Sequence, residues 1–497
     1  MTPRSAREWL DLVLDPDWTL LFDDVVSGDP LEFPGYAEQL RAAREKTGCS
    51  ESVLVAEGVL AGQRMIAIAF EFGFLGGSMG VAAGERICRA FEHAAATGVP
   101  VVAMTATGGA RMQEGMLALS QMPATLIARE KLAAERAPFF CYLRNPTTGG
   151  VFASFASSAD LLWAEPHATI GFAGPRVAES MTGEPLPEAS HTAETALAHG
   201  LIDEIVPVAD LRKRVSEFLG PVSYGIAGAG HSIEEAQPST AADAWTEVTL
   251  ARDAKRPTGA DYLPGGTILG RGGPDASILV CVADDWLEHG RPIFIAQNRF
   301  SGTGRTHPGG YRRVRRAIGF AARFRRPIVT LIDTPGADPS AGSEADGIAR
   351  EISATFEALL TAPVPTVAVC VGEGGSGGAL ALAACDVFLI SEHGTFSVIA
   401  PEGAASILRR DDLETVANEL RLTAHELKAL GLADHVVAEP EGGAHTDPHR
   451  AISKVHGAIM AALQELHLRP EQADVEEVLP PPDIPSARRF ERWRVYR

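Results

Sequence analysis

The sequence predicts an α/β protein made of two tandem domains of one fold. Three observations carry this prediction. Apolar strand-like runs alternate with helical patterns over most of the 497 residues, as in a sheet fed by helices. The second half repeats the first. Between them the composition shifts at Gly220–Gly230, a glycine-rich stretch followed by a polar run to about Thr240, which reads as a boundary. The expected division is a first domain at 1–222, a linker at 223–242 and a second domain at 243–497.

The elements follow in order. Residues 1–50 read as helical, with a turn at Gly28-Asp29-Pro30. Val53–Ala56 and Gln63–Phe70 alternate as strands do. Gly80–Ala96 reads as a helix, Val99–Thr105 as a buried strand, Met112–Ala134 as a helix, Pro138–Leu143 as a strand and Gly150–Ala159 as a helix. After the boundary, Ile278–Val282 and Pro292–Gln297 are strands. Gly310–Phe324 is a helix, Pro327–Asp333 a strand, Ile348–Leu360 a helix, Pro365–Val371 a strand and Gly377–Ala384 a helix.

The repeat is specific. Val101–Arg111 (VVAMTATGGAR) matches Ile328–Asp338 (IVTLIDTPGAD) at an offset of 227 residues. Thr148–Pro175 matches Gly374–Pro401, with Asp160 on Asp386 and Pro175 on Pro401 at 226. A unit of that length is a duplicated domain rather than a solenoid repeat.

Bulk properties narrow the function. A net charge of −20 argues against a nucleic-acid binder. The six cysteines form no C-x-x-C pair and sit mostly in apolar runs, so buried, reduced thiols are expected. No signal-peptide pattern and no membrane-spanning apolar run is found. A soluble, cytoplasmic protein without membrane partners is the expectation. No G-K-[ST] phosphate loop and no Met-Lys-Met tripeptide occurs, so neither ATP nor a biotin of its own is expected on this chain.

Four glycine turns carry the candidate chemistry. They are Thr107-Gly108-Gly109-Ala110 and Thr147-Thr148-Gly149-Gly150, then Thr334-Pro335-Gly336-Ala337 and Gly374-Gly375-Ser376-Gly377-Gly378. Each reads as a buried strand ending in a turn from which a helix starts. Glycine admits a ligand to the backbone, and a helix start offers free N–H groups. Two such ends facing one carbonyl oxygen make an oxyanion hole. A lone turn would be packing; two matched pairs favour function. Residues Gly372–Gly377 also fit a dinucleotide fingerprint, with Glu392 twenty residues on, and Gly374–Gly378 fits the nucleophile elbow G-x-S-x-G. Both patterns are cheap in a glycine-rich chain. A hydrolase would need a histidine near Ser376, with His393 and His307 as candidates. The seven arginines of Arg312–Arg326 read first as a solvated helix face, and second as a contact for phosphates or a partner.

These motifs resemble a known family. Phe70–Gly80 (FEFGFLGGSMG), Gly108–Glu114 (GGARMQE), Pro146–Gly150 (PTTGG) and Ile170–Val177 (IGFAGPRV) are similar to the carboxyltransferase β subunit of acetyl-CoA carboxylase. Asp333–Ala337 (DTPGA), Gly372–Leu380 (GEGGSGGAL), Phe396–Gly403 (FSVIAPEG) and Gly442–His445 (GGAH) are similar to its α subunit. The resemblance implies two tandem crotonase-like β/α spiral domains. It implies transfer of a carboxyl group from carboxybiotin, held on a separate biotin carboxyl carrier protein served by a biotin carboxylase, to the α-carbon of an acyl-CoA. Acetyl-CoA giving malonyl-CoA is the first choice. A homo-oligomer, dimer or larger, with sites at subunit interfaces, is also implied.

On the same resemblance, Gly109, Ala110, Gly149 and Gly150 would face the thioester oxygen, and Gly336, Ala337, Gly375 and Ser376 the biotin ureido oxygen. Gly76, Gly77, Arg111, Arg176, Gly377 and Gly378 would contact the cofactor and coenzyme A. Three departures stand out. No four-cysteine zinc ribbon is present, so no metal is expected. Asp338 stands where an aromatic residue is expected, and the loop Pro339–Gly347 is short. A malonyl-thioester decarboxylase of the same fold, a serine hydrolase using Ser376 and an inactive scaffold remain as alternatives.

Overall fold

The computed structural model describes residues 4–187, 189–219, 231–237, 243–284, 286, 290–467 and 489. Of the expected linker 223–242, only 231–237 lie among them. The chain forms two compact units, Met1–Gly220 and Pro221–Arg497.

The first unit is built on an eight-stranded sheet. Its strands are β1 (Thr19–Leu21), β2 (Val53–Leu60), β3 (Gln63–Phe70), β4 (Val101–Thr107), β5 (Phe139–Thr148), β6 (Leu161–Ala164), β7 (Ile170–Gly171) and β8 (Glu204–Ile205). The spatial order is β1-β2-β3-β4-β5-β6-β8, with β7 beside β5. Strands β1 to β3 are antiparallel, and β3 to β8 are parallel. Ala61 and Gly62, both at positive φ, close the β2–β3 hairpin, as a two-residue turn of the right twist requires. Every residue of β4 is buried, the mark of a parallel strand covered on both faces. The core joins Ile66, Ile68, Val101, Ala103, Phe139 and Cys141 to Phe91 and Leu132 of the flanking helices Val81–Thr97 and Gln121–Ala134.

The second unit repeats this plan strand for strand. Strands β9 (Gly266–Ile268), β10 (Ile278–Ala283), β11 (Ile293–Gln297), β12 (Ile328–Thr334), β13 (Thr366–Gly375), β14 (Val387–Ser391) and β16 (His435–Val437) follow in that order, with β15 (Thr395–Ser397) beside β13. The paired aspartates of the sequence repeat have one job. Asp160 accepts a hydrogen bond from Phe139 N at 2.8 Å, and Asp386 one from Thr366 N at 2.9 Å. Each carboxylate thus fixes the start of the strand that ends in a glycine turn.

One predicted helix is absent. Residues 150–155 form irregular turns, and only Ala156–Ser158 make a short 3-10 turn. The serines explain it. Ser154, Ser157 and Ser158 donate their hydroxyls to the carbonyls of Val151, Phe152 and Phe155, competing with the helical ladder. The predicted helix Met112–Ala134 is also broken, into Gly115–Leu119 and Gln121–Ala134 after a 3-10 turn at Met112–Glu114.

All six cysteines are free, and all but Cys88 are buried. Among the described residues, no helix is long and apolar enough to cross a membrane, and no group of three or more His, Cys, Asp or Glu is placed to hold a metal ion.

Candidate active site

At the end of β4 the register with β5 shifts between Thr105 and Thr107, and the chain turns through Gly109 at φ +114°. Thr107 Oγ1 accepts from Gly109 N at 2.9 Å. Met79 N donates to Gly109 O, and Arg111 N to Met79 O, both at 2.9 Å. Ala110 lies between these bonds, and its N–H has no acceptor among the described residues. At the end of β5, Gly149 N donates to Phe172 O at 2.9 Å, and Gly150 N has no acceptor there either. The two turns touch. A methyl group on Gly149 (φ +73°) would fall 2.6 Å from Gly109 Cα, so glycine is required.

The second unit builds the same arrangement. The β12–β13 register shifts between Ile332 and Thr334, and Gly336 turns at φ +131°. Gly336 N donates to Thr334 Oγ1 at 3.1 Å. Thr306 N donates to Gly336 O at 3.2 Å, and Asp338 N to Thr306 O at 2.9 Å. Ala337 N is left without an acceptor among the described residues. Gly375 pairs with Ser397 of β15. Ser376 then opens the helix Ser376–Ala383, so its N–H has no intrahelical acceptor. A methyl group on Gly375 would meet Pro335 C and O at 2.3 Å. A helix begins directly at this turn alone; the other three present loop amides.

Comparison with known proteins decides what this duplicated arrangement belongs to. Residues 26–216 match the family described as carboxyl transferase domain, and 289–478 match acetyl co-enzyme A carboxylase carboxyltransferase-like. The chain is 42% identical over 494 residues to the acetyl-coenzyme A carboxylase carboxyl transferase subunits beta/alpha of Salinispora arenicola, covering 93% of this chain and 87% of that protein. The chain belongs to the biotin-dependent carboxyl transferase family. A probable biotin-dependent acyl-coenzyme A carboxylase beta3 subunit of Mycobacterium bovis is 36% identical, over 89% of this chain and 91% of that protein. Transcarboxylase 12S, solved with methylmalonyl-coenzyme A bound, shares the fold at a TM-score of 0.73 and 20% identity, covering 93% of this chain and 89% of its own. The expected crotonase-like architecture of both domains is thereby established.

Within this carboxyl transferase the remaining site residues separate. Gly76 O accepts from Gly108 N at 2.9 Å, and a methyl group on Gly77 would strike Ala106 O at 1.9 Å, so this pair backs the first turn. Gly378 is buried against Ala337 N, while Gly377 is exposed. Arg176 is exposed in the first turn of helix Pro175–Thr182.

Arg111 corrects the expectation of a ligand contact. Its guanidinium is fully buried and binds Glu51, Glu114, Tyr36 Oη, Ser52 Oγ and Ser78 O. Burial works against its charge, and Glu51 more than offsets this, so the group is a permanent internal cation under the first turn. Nothing of it is left for a ligand. Burial also pushes the Tyr36 hydroxyl up to about 12, which keeps it a proton donor to Glu114.

The position matching Arg111 in the repeat is Asp338. Its carboxylate accepts from the hydroxyls of Ser340 and Ser343, and His307 Nδ1 lies 3.4 Å away. Those hydroxyl bonds, from Ser340 first, hold the Asp338 carboxyl below the usual carboxylate range.

A cavity of about 600 Å³ opens beside the second turn. Arg252, Arg299, Arg305, Glu373, Glu402 and Ser376 are among its lining residues. Sequence reasoning gave the three arginines no role, and it met Glu373 and Glu402 only as parts of the motifs Gly372–Leu380 and Phe396–Gly403. Their partners lie far apart in the chain, so no local spacing marks them.

Ser376 has φ +56°, the strained backbone of a nucleophile elbow. However, no histidine appears among the residues lining its cavity. His393 Nδ1 is held by Glu247 at 2.7 Å, and His307 Nδ1 meets Ser343 Oγ at 3.3 Å. The serine hydrolase alternative therefore lacks its base.

Three of the arginines on helix Pro308–Arg323 are held by groups of the same unit rather than left as a bare solvated face. Arg312 and Arg315 pair with Asp346 and Glu351, and Arg313 donates to the carbonyls of Gly273, Asp275 and Ile278.

Proposed function

We propose that the chain moves a carboxyl group between biotin on a separate carrier protein and the α-carbon of an acyl-CoA, with acetyl-CoA and malonyl-CoA as the acyl pair. The observation that carries this is the pair of unbonded amides repeated in each unit, Ala110 with Gly150 and Ala337 with Ser376. In this reading the first pair holds the thioester oxygen, and the second holds the ureido oxygen of biotin. Negative charge develops at both oxygens during transfer, and fixed N–H donors meet it without reorganisation. Carboxylated biotin supplies the carboxyl group, and its ureido nitrogen takes the α-proton. The chain holds the two reactants in line. The cavity beside Ser376, of about 600 Å³ and lined by apolar surface as well as charged side chains, has room for a small bicyclic urea.

The first unit would therefore serve acyl-CoA and the second biotin, in an assembly of two or more copies. Exposed apolar residues support the assembly. Phe172 and Met181 around helix Pro175–Thr182 are 72% and 82% exposed. Val398 and Ile407, at the same 226-residue offset, are 77% and 72% exposed around helix Pro401–Leu408. Their recurrence at matched positions of the two units, rather than any one exposed side chain, is what supports an interface there.

The test runs the reaction backwards. Purified protein is given malonyl-CoA and free biocytin, and loss of malonyl-CoA is followed. Loss that requires biocytin, and that disappears in Gly109→Val, is expected. Loss without biocytin would favour the decarboxylase, and no change in Gly109→Val would remove the first turn from the site.

A further inference from the structure

The charges around the cavity beside Ser376 are unequally used. Arg252 is paired with Glu373 and Glu402, both at 2.6 Å. Arg299 lies 3.4 Å from both Asp333 and Glu373. Arg305 has no carboxylate within ion-pair distance among the described residues. Its Nη1 makes only two long contacts, 3.4 Å each, to the carbonyls of Pro335 and Ala337. Glu373, Glu402 and Asp333 are thus all engaged by Arg252 and Arg299, and the guanidinium with no carboxylate of its own among the described residues sits on the second turn itself.

Arg305 is also held in register. Its neighbour Thr306 bridges Gly336 and Asp338 through both backbone groups, so the side chain starts from a fixed point next to Ala337. A methyl group on Gly336 would lie 3.4 Å from Arg305 Nη1 and 3.3 Å from Ser376 Oγ. The guanidinium and the serine thus flank the same spot. The repeat offers a control. The position matching Arg305 in the first unit is Ser78, whose hydroxyl accepts from the buried Arg111. At this repeat position, therefore, a cation stands in the second unit where the first has a serine.

We propose that Arg305 binds the carboxylate carried on the ureido nitrogen of biotin, an assignment that rests on the function proposed above. In an N-carboxylated cyclic urea, the carboxylate is attached to the atom next to the ureido carbon. An oxygen seated on Ala337 N and Ser376 N therefore places the carboxylate at the edge of the turn. An unpaired guanidinium meets a carboxylate there with two parallel donors. Arg252 and Arg299, already committed to carboxylates, shape the wall instead.

Calorimetry on the full chain tests this with two stable probes. One is biotin amide bearing a carboxymethyl group on the ureido nitrogen; the other bears the neutral carbamoylmethyl group of the same shape. Arg305→Gln is expected to weaken the anionic probe about tenfold or more and the neutral probe less than about twofold. Arg305→Lys should recover part of the loss, because charge returns without the fork. Retained binding of the neutral probe reports that the variant site is folded. Equal weakening of both probes, or of neither, overturns the role of Arg305 and leaves the proposed function standing. Failure of the unmutated protein to bind either probe, together with no biocytin-dependent loss of malonyl-CoA, overturns both.

Discussion

The two units share a backbone design at their first glycine turns and differ in what holds it. Both turns follow a register shift, both tie a glycine N–H to a threonine hydroxyl, and both leave the next alanine amide open. Beneath the first lies a buried network of Arg111, Glu51, Glu114 and Tyr36. Beside the second lie Asp338, two serines and the partly exposed His307. The comparison teaches that the turn is specified by strand geometry, threonine and glycine. The charged anchor is free to diverge, even to the opposite sign.

The comparison breaks most readily at the anchors. Arg111→Ala leaves Glu51 buried without its partner and should destabilise the protein by roughly 3–5 kcal/mol, read as the denaturation midpoint of the first unit. A loss under about 1 kcal/mol would mean that the network is dispensable. Next in size is the contact within each pair of turns. Gly149→Ala and Gly375→Ala each drive a methyl into the facing turn. Each should lower kcat about 10²–10³-fold, the usual cost of losing one oxyanion donor. A large drop in only one would end the functional equivalence of the pairs.

Asp338→Asn should cost only about 1 kcal/mol at neutral pH. Its carboxyl is held low in the folded state, so its contribution is full above the unfolded value of about 3.9. It fades as pH falls through the lower folded value. Urea melts of both proteins at pH 7 and in acid should therefore converge in acid; divergence there would reverse the assigned sign. Smallest of all is Ser376→Ala. The amide remains and the hydroxyl has no base beside it, so activity should stay within about threefold of the parent, with no labelling by a fluorophosphonate. Stoichiometric labelling would restore the nucleophile reading.

Much of this protein was legible in its sequence. The repeat, the succession of strands and helices along the chain and the four glycine turns all rest on local demands. Gly109 and Gly336 need positive φ, Thr107 and Thr334 sit two residues before them, and β4 and β12 must be apolar throughout to lie inside a parallel sheet. The missing helix after Gly150 was a local misreading of a different kind, because serine hydroxyls captured the carbonyls that a helix would have used.

What only the tertiary structure decided is the use of each group. Ala110 and Ala337 are the open amides because Met79 and Thr306, about 30 residues away in sequence, take the neighbouring bonds. Arg111 looked like a ligand contact and is a buried anchor because Glu51, 60 residues upstream, folds beneath it. Arg305 drew no notice in a loop of ordinary composition, yet it remains unpaired while Arg299 nearby is satisfied. The sequence states which residues are charged or small. Which of them still has a bond to give depends on distant neighbours, and only folding brings those into reach.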